Sequence, residues 1–349
     1  MGKTSSKIKT KPAASGHAGY SERQTILSGM QPTGALHIGN LEGALKNWIA
    51  LQDDYDMFCC IVDWHSLTAE YANTTELKAK IFHMAVDWLA SGLDPDKCAI
   101  FIQSEIKEHA EMHLLLSLLI SVRTLTRLPT YEEKKDEQGL DSYGFLGYPV
   151  LQAADIVVYG AHKVPVGKDQ SKHIWLANDL ARRFNHYFGP TLVEPEILLT
   201  KMPLIPGTDG KKMSKSAGNY IALADSEEDT TAKLKRMFTD PKKLRKNDPG
   251  RPEICPLYKL HEAYSTADNI TETIVPQCKS GELGCVECKG RLIANLNQSL
   301  APLREKRVEL LAKPDYIWDI LAKGATLARE RACLVMENVR RAMKTNYRD

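Results

Sequence analysis

TILSGMQPTGALHIGNLEGALKNWIAL, residues 25–51, contains the local signals from which the rest of the fold is predicted. The apolar run Thr25-Ile26-Leu27 is typical of a buried strand, and residues 41–51 carry apolar side chains at helical spacing. His37 and Asn40 therefore lie where a strand turns into a helix, whose first N–H groups and positive dipole end attract phosphate. Gly39 has no side chain, so a flat base could lie against the backbone. Taken alone, His37 is more typical of an ordinary turn histidine.

A second short motif, Lys212-Met213-Ser214-Lys215-Ser216, follows the glycine-rich turn at residues 206–210. Two ammonium groups on such a loop could hold a polyphosphate while its charge moves, which is the requirement of nucleotidyl transfer. By itself the motif could also be a solvated basic loop. Its pairing with the turn at His37 favours the phosphate site.

The pattern between residues 24 and 206 alternates strands and helices. It predicts strands at 25–28, 57–62, 99–103, 164–166 and near 197–200, and helices at 41–51, 76–91, 110–124 and 172–188. Such alternation indicates a parallel sheet covered by helices, with ligands at the carboxyl ends of the strands. Residues 126–147 are predicted to be a mobile loop. After residue 220 the pattern is helical, at 225–238, 256–266, 285–311 and 314–344.

Composition is that of an ordinary globular protein, with 349 residues, 26% charged and 43% hydrophobic. No apolar run approaches the roughly 20 residues that span a bilayer, and the N-terminus lacks the apolar core of a secretory signal. We therefore predict a cytoplasmic protein with no membrane segment and a disordered tail over residues 1–23. Residues 25–220 carry a net charge of −6 and residues 221–349 a net charge of +4, which is compatible with RNA binding by the second part.

Together, the two motifs resemble the signature pair of the class I aminoacyl-tRNA synthetases, and the resemblance covers nearly the whole chain. It implies an α/β fold: a Rossmann-like parallel-sheet catalytic domain over residues 24–206, the Lys-Met-Ser-Lys-Ser (KMSKS) loop over 207–220, and an all-α anticodon-binding domain over 221–349. It implies catalytic roles for His37, Asn40, Lys212 and Lys215. It also implies an ATP site that includes Gln31, Pro32, Thr33, Gly39, Ile205, Met213, Ser214 and Ser216.

The segments at residues 147–159 and 164–170 bear on the amino acid that is activated. Asp155 stands alone in an apolar stretch, and burying an unpaired carboxylate is costly, so it needs a partner: a salt bridge, a helix cap or a ligand donor. The two segments resemble tryptophanyl-tRNA synthetases more than tyrosyl ones. The resemblance implies that Asp155 accepts the indole N–H, that Tyr148 and Gln170 hold the α-ammonium group, and that Gly167, Lys168 and Asp169 contact the nucleotide.

Two details of this region leave alternatives open. Lys168 departs from the acidic residue that is frequent in bacterial relatives, which puts its own contact in doubt but not that of Asp169. His65 follows a predicted strand, so it either points to the mouth of the pocket or is a satisfied core histidine.

Four of the eight cysteines form the pattern C-x22-C-x6-C-x2-C: Cys255, Cys278, Cys285 and Cys288. Four thiols with one C-x2-C pair predict a metal site, and both zinc and a [4Fe–4S] cluster accept four cysteines. The full spacing resembles that of a subset of tryptophanyl enzymes with a [4Fe–4S] cluster in the anticodon-binding domain, so we favour the cluster over zinc. Cys59, Cys60 and Cys98 are predicted to be buried, inert thiols.

The resemblance implies a two-step reaction. Tryptophan and Mg²⁺-ATP give tryptophanyl-adenylate and diphosphate, and tRNA(Trp) then takes the tryptophanyl group. A homodimer is implied in the same way. The alternatives are a tyrosine-activating relative and a non-catalytic, synthetase-like RNA-binding regulator.

Overall fold

A computed structural model describes residues 23–128, 131, 142–167, 171–199 and 205–347. The predictions for nearly all of the tail, for most of the 126–147 loop and for Lys168, Asp169 and Gln170 lie outside the described residues. No helix within those ranges is long and apolar enough to cross a bilayer.

The core of the fold is a five-stranded parallel sheet. Its strands are β1 (Thr25–Met30), β2 (Asp56–Ile61), β3 (Cys98–Ile102), β4 (Lys163–Val166) and β5 (Glu196–Leu199), in the order β3-β2-β1-β4-β5. The predicted parallel sheet is confirmed. Because β2 lies on one side of β1 and β4 on the other, the direction of winding reverses at β1. A crevice therefore opens beyond the carboxyl ends of β1 and β4, where such folds bind ligands.

Helices cover both faces of this sheet and form the C-terminal part. They are α1 (Ile38–Asn40), α2 (Lys46–Leu51), α3 (Asp63–Glu70), α4 (Leu77–Ser91), α5 (Glu108–Ser117), α6 (Val122–Thr126), α7 (Tyr143–Val157), α8 (Ser171–Phe188), α9 (Glu227–Arg236), α10 (Pro256–Tyr264), α11 (Val275–Ser280), α12 (Cys285–Leu311) and α13 (Pro314–Ala342). Leu41–Leu45 and Asn269–Ile274 are π-helical, and Gln103–Glu105 and Pro252–Ile254 form 3₁₀ turns.

The helix predicted at 110–124 and the loop predicted at 126–147 both need correction. The single helix predicted at 110–124 is two helices, because Ser121 is extended and its side chain caps α6 by accepting the Thr124 N–H. Residues 143–147, predicted as part of a loop, are the first turn and a half of α7. Ser142 caps this helix by accepting the Phe145 N–H. Most of α7 is buried and apolar on several sides, so it lacks the polar face that gives a helix its periodic signal.

The last helix packs directly on the sheet. A Cβ on Gly324 of α13 would lie 1.9 Å from the carbonyl oxygen of Ile100 in β3, so only glycine allows this approach. Arg331 Nε donates to the Tyr159 carbonyl at 2.9 Å, and its Nη2 donates to Thr25 Oγ1 at 2.9 Å. The C-terminal helix therefore packs into the same core as the N-terminal sheet. The division into two domains at residue 221 stays a prediction.

Candidate active site

A cavity of about 460 Å³ lies in the crevice at the ends of β1 and β4. Four of the residues predicted from sequence line it: Gln31, Tyr148, Asp155 and Gly167. His65 also lines it, which agrees with a position at the pocket. The fold therefore brings residues from four separate segments of the chain to one enclosed space.

Asp155 is buried at one wall of the cavity and has several partners. Its Oδ2 lies 2.9 Å from His65 Nε2, and its Oδ1 lies 2.6 Å from His109 Nδ1. Gln103 Nε2 donates to both carboxylate oxygens, at 2.8 and 2.9 Å. The sequence argument that this carboxylate needs a partner is confirmed, and the partners are three side chains from other elements.

The charge of Asp155 is stabilised despite its burial. Burial alone would raise the pKa of this carboxyl, but the electrostatic attraction and hydrogen bond of His109 and the hydrogen bond of His65 outweigh it and lower the pKa to about 2. Asp155 is therefore ionised at neutral pH. An ionised carboxylate only accepts hydrogen bonds, so the cavity presents an acceptor to any N–H or O–H donor of a ligand.

His37 and Asn40 form a reciprocal cap at the start of α1. The Asn40 N–H donates to His37 Nδ1 at 3.3 Å, and the His37 N–H donates to Asn40 Oδ1 at 3.1 Å. Burial and the nearby charge of Lys215 lower the pKa of His37 to about 4. The imidazole is therefore neutral at physiological pH, and because Nδ1 accepts, its proton lies on Nε2, where it can be donated to a phosphate oxygen.

The KMSKS loop closes against the turn that precedes α1. Lys215 Nζ donates to Thr33 Oγ1 at 3.1 Å and to the Gly34 carbonyl at 3.0 Å. A Cβ on Gly39 would lie 2.9 Å from His37 Nδ1 and 3.6 Å from Met213 Sδ, so the buried Met213 packs over this glycine. The two predicted motifs thus meet in space, although 172 residues separate Asn40 from Lys212.

Asn219 supports this loop and was not found from sequence. Its Oδ1 accepts the Ser214 N–H at 2.8 Å, and its Nδ2 donates to Asp209 Oδ1 at 2.7 Å and to the Lys212 carbonyl at 3.1 Å. A Cβ on Gly207 would lie 2.4 Å from the Asn219 side chain. One buried amide therefore ties both ends of the loop together. A buried asparagine in a polar loop is a weak sequence signal, since loops are generally rich in this residue.

Gln103 and His109 were also missed. Both are fully buried behind Asp155, away from the cavity. A signal for His109 exists, because it shares the buried side of α5 with Met112 and Leu116 at helical spacing. A histidine on an apolar helix side requires a hydrogen-bond partner, but the sequence does not identify that partner.

The remaining predicted ATP residues are placed as follows. Thr33 accepts the hydrogen bond from Lys215, and Ser214 is held by Asn219. Ile205 is buried in the apolar cluster that contains Met213, and Pro32 is buried on the turn. Lys212 and Ser216 are exposed on the loop. The nucleotide contacts of all these residues stay predictions.

The four patterned cysteines lie on neighbouring helix ends in the C-terminal part. Cys255 precedes α10, Cys278 lies in α11, and Cys285 and Cys288 lie in the first turn of α12. Burial, followed by the charges of the three other cysteines, raises the pKa of Cys288 to about 12. A Cβ on Gly250 would lie 2.5 Å from Cys278 Sγ, so this glycine leaves room beside that sulphur.

Four cysteine thiolates are the kind of donor that zinc and iron–sulphur clusters require. Within the described ranges, however, no three or more His, Cys, Asp or Glu side chains are arranged as around a metal ion. The metal prediction stays a prediction. Cys59, Cys60 and Cys98 are buried, as predicted, and burial contributes to raising the pKa values of Cys59 and Cys60 well above the usual range.

Comparison with known proteins gives a consistent result. Residues 20–301 match the family model "tRNA synthetases class I (W and Y)". The chain is 47% identical to the tryptophan–tRNA ligase of Thermotoga maritima, over 92% of this chain and 99% of that protein, and 40% identical to that of Aquifex aeolicus, over 91% and 99%.

Solved structures agree. The tryptophanyl-tRNA synthetase of Campylobacter jejuni, in complex with ADP and tryptophan, superimposes with a TM-score of 0.83 at 33% identity. The match covers 92% of this chain and all of that one. Family model, relatives and fold point to the same assignment. The chain belongs to the tryptophan–tRNA ligase family of the class I tRNA synthetases.

Proposed function

We propose that this protein attaches L-tryptophan to tRNA(Trp) through a tryptophanyl-adenylate intermediate. The observation that carries the proposal is the placement of the ionised Asp155 on the wall of a crevice that Gln31 also lines, two residues before Thr33, which Lys215 of the KMSKS loop contacts. Tryptophan and Mg²⁺-ATP are the substrates of the first step, and tRNA is the substrate of the second.

Each of the proposed site residues has a distinct role in the reaction. Asp155 accepts the indole N–H, and Tyr148 and Gln170 bind the α-ammonium group. The carboxylate of tryptophan then attacks the α-phosphate of ATP. His37 and Asn40 stabilise the phosphates in the transition state, while Lys212 and Lys215 follow the leaving diphosphate. Because the substrate supplies the nucleophile, catalysis by the protein consists of positioning and electrostatic stabilisation.

The nucleotide contacts extend this arrangement. Gln31, Pro32, Thr33, Gly39, Ile205, Met213, Ser214 and Ser216 line ATP, together with Gly167, Lys168 and Asp169. The missing side chain of Gly39 and the apolar surface of Met213 beside it suit the flat face of adenine.

Amino-acid-dependent exchange of diphosphate into ATP tests the proposal. We expect exchange with tryptophan, at least about 10⁴-fold more efficient than with phenylalanine, because a site built to hydrogen-bond a ligand N–H discriminates strongly against an analogue that lacks it. Preferential exchange with tyrosine would establish the tyrosine-activating alternative. An absence of exchange with every amino acid would instead favour the non-catalytic regulator.

We further propose that the helical part after residue 220 binds the anticodon and carries a [4Fe–4S] cluster on Cys255, Cys278, Cys285 and Cys288. Zinc and a four-iron cluster both accept four cysteine thiolates. The preference for the cluster rests on the resemblance of the C-x22-C-x6-C-x2-C spacing to that of cluster-containing tryptophanyl enzymes. The role of the cluster is structural, since the reaction transfers no electrons.

The cluster has a direct test. Protein purified without oxygen should have a broad visible charge-transfer absorption and contain iron and acid-labile sulfide in a one-to-one ratio. Cys288→Ser should lose most of both, whereas the control Cys333→Ser, at a half-buried cysteine of α13, should keep them. Stoichiometric zinc without sulfide would contradict the prediction.

We also propose a homodimer, formed through an apolar surface on the catalytic part. Leu114, Leu118, Val122 and Tyr143 lie on or between α5, α6 and α7 and are all more than half exposed. Exposed apolar side chains grouped in this way mark interaction surfaces. We expect light scattering to give twice the chain mass for the wild type and the single-chain mass for Leu118→Glu. The control Leu244→Glu, on the exposed connector before α10, should remain dimeric.

A further inference from the structure

The carboxylate of Asp155 has a cavity side and a buried side. On the cavity side, His65 Nε2 lies 2.9 Å from Oδ2 and itself lines the cavity. On the buried side, His109 and Gln103 have no exposed surface, and His109 Nδ1 makes the shorter contact, 2.6 Å to Oδ1. The orientation of the carboxylate is therefore set from behind, where no ligand reaches.

In a neutral His109 ring, the contacts of the two ring nitrogens decide which of them carries the hydrogen. Asp155 is an acceptor, so His109 Nδ1 carries the hydrogen and donates it. On the other side of the ring, Nε2 lies 2.6 Å from the hydroxyl oxygen of Tyr159. Burial keeps the pKa of Tyr159 well above its usual range, so that hydroxyl retains its hydrogen and donates it to Nε2. Tyr159, His109 and Asp155 are thus linked by two hydrogen bonds, each with one donor and one acceptor.

The tyrosine at the end of this hydrogen-bonded series is fully buried and packed against two other rings. Its ring stacks on Phe58 with centroids 4.9 Å apart and meets Phe101 edge-on at 5.5 Å. The Tyr159 carbonyl accepts from Arg331 of α13. A packed ring fixes the hydroxyl, the hydroxyl fixes the imidazole, and the imidazole fixes the carboxylate. Such supporting contacts orient a recognition group in the way that outer ligands orient a metal site.

We propose that His109 is a positioning residue for tryptophan selection: it holds the Asp155 carboxylate turned so that its cavity-side oxygen accepts the indole N–H. This inference rests on the proposed tryptophan-activating function. His109 never touches the substrate, so it acts only through Asp155. Without its hydrogen bond, the buried carboxylate would lose a charge-assisted contact and take up a proton more readily. A protonated Asp155 would offer a donor where the indole N–H requires an acceptor.

A matched pair of variants tests the inference. His109→Asn and His109→Leu have side chains of nearly equal size, but only asparagine can donate a hydrogen bond from the position of Nδ1. The measured quantity is the ratio of kcat/KM in diphosphate exchange for tryptophan to that for benzothienylalanine, in which sulphur replaces the indole N–H. We expect His109→Leu to lower this ratio by about tenfold or more, as loss of a hydrogen bond to a charged group implies. His109→Asn should retain most of it.

The ratio separates positioning from structural support. A histidine that merely fills the core would, when replaced, reduce kcat/KM for both amino acids alike, and an unchanged ratio in His109→Leu would overturn the inference. If that variant does not fold, Tyr159→Phe removes a single hydroxyl and allows the same comparison: a lowered ratio supports the inference, and an unchanged one overturns it. A wild-type protein that does not distinguish the two analogues would instead contradict the proposed role of Asp155 itself.

Discussion

Lys215→Ala should lower the rate of tryptophan activation by about 100- to 1,000-fold while leaving the affinity for tryptophan nearly unchanged. The charge on ATP moves towards the leaving diphosphate in the transition state, and Lys215 is the loop cation that already faces the turn before α1. Its hydrogen bonds to Thr33 and Gly34 place it there without ATP. Burial lowers the pKa of its ammonium group, which reflects a partly desolvated charge and a stronger electrostatic effect than on an exposed loop.

The measurement is pre-steady-state formation of the adenylate, with tryptophan binding followed by fluorescence. Lys211→Ala is the matched control, because it removes an exposed lysine of the same loop. We expect this control to change the rate by less than about threefold, since an exposed charge is screened by water. Adenylate formation by Lys215→Ala at the wild-type rate would rule out the proposed role, and an equal loss in Lys211→Ala would indicate a general charge effect.

The local parts of the fold could be predicted from sequence because their signals are local. The strand β1, the turn at His37 and the helix after it are specified by residues adjacent in the chain, and the structure places His37 as the cap of that helix. The five strands and the long helices α4, α8, α12 and α13 follow from periodicity, whereas the short helices α3 and α11 were not predicted. The start of α7 could not be predicted from periodicity, because a helix that is buried on several sides has no polar face.

Long-range partners could not be predicted in the same way. The cost of burying a charge indicates that Asp155 has partners, but His109 and Gln103 are 46 and 52 residues away along the chain. Lys212 and Lys215 are equivalent in the motif, yet Lys215 points to the turn and Lys212 is exposed. The packing of α13 on β3 likewise depends on the close approach of Gly324 to Ile100, which helical periodicity does not indicate.

Asp155→Asn should reduce kcat/KM for tryptophan by about 100-fold or more, mainly through KM, with little change in the KM for ATP. The amide has the volume of the carboxylate but replaces one acceptor oxygen with a donor. His65, His109 and Gln103 already direct hydrogen-bond donors at Asp155. The new NH₂ group is also a donor, so it would face at least one of them in an unfavourable donor–donor contact. The indole N–H would then compete for a single remaining oxygen.

The pH dependence follows from the same geometry. The pKa of Asp155 is lowered to about 2, so the carboxylate is ionised throughout pH 5–9, and the wild-type KM for tryptophan should have no inflection from this group in that range. The same pKa shift also defines how the stability of the fold changes with pH. Because the folded pKa lies below the usual 3.8, the stabilisation by ionised Asp155 is complete above that value and is lost as pH falls through about 2.

Steady-state exchange kinetics at several pH values would measure the KM for tryptophan, and denaturant unfolding at the same pH values would measure the stability. Asp179→Asn is the matched control, since it neutralises a carboxylate that pairs with Arg183 on the neighbouring helix α8. This ion pair is partly exposed, so its loss should change stability by less than about 1 kcal/mol and leave selection unaffected. If Asp155→Asn keeps the wild-type KM for tryptophan, the indole N–H has another acceptor. Both the proposed role of Asp155 and the supporting role of His109 would then have to be abandoned.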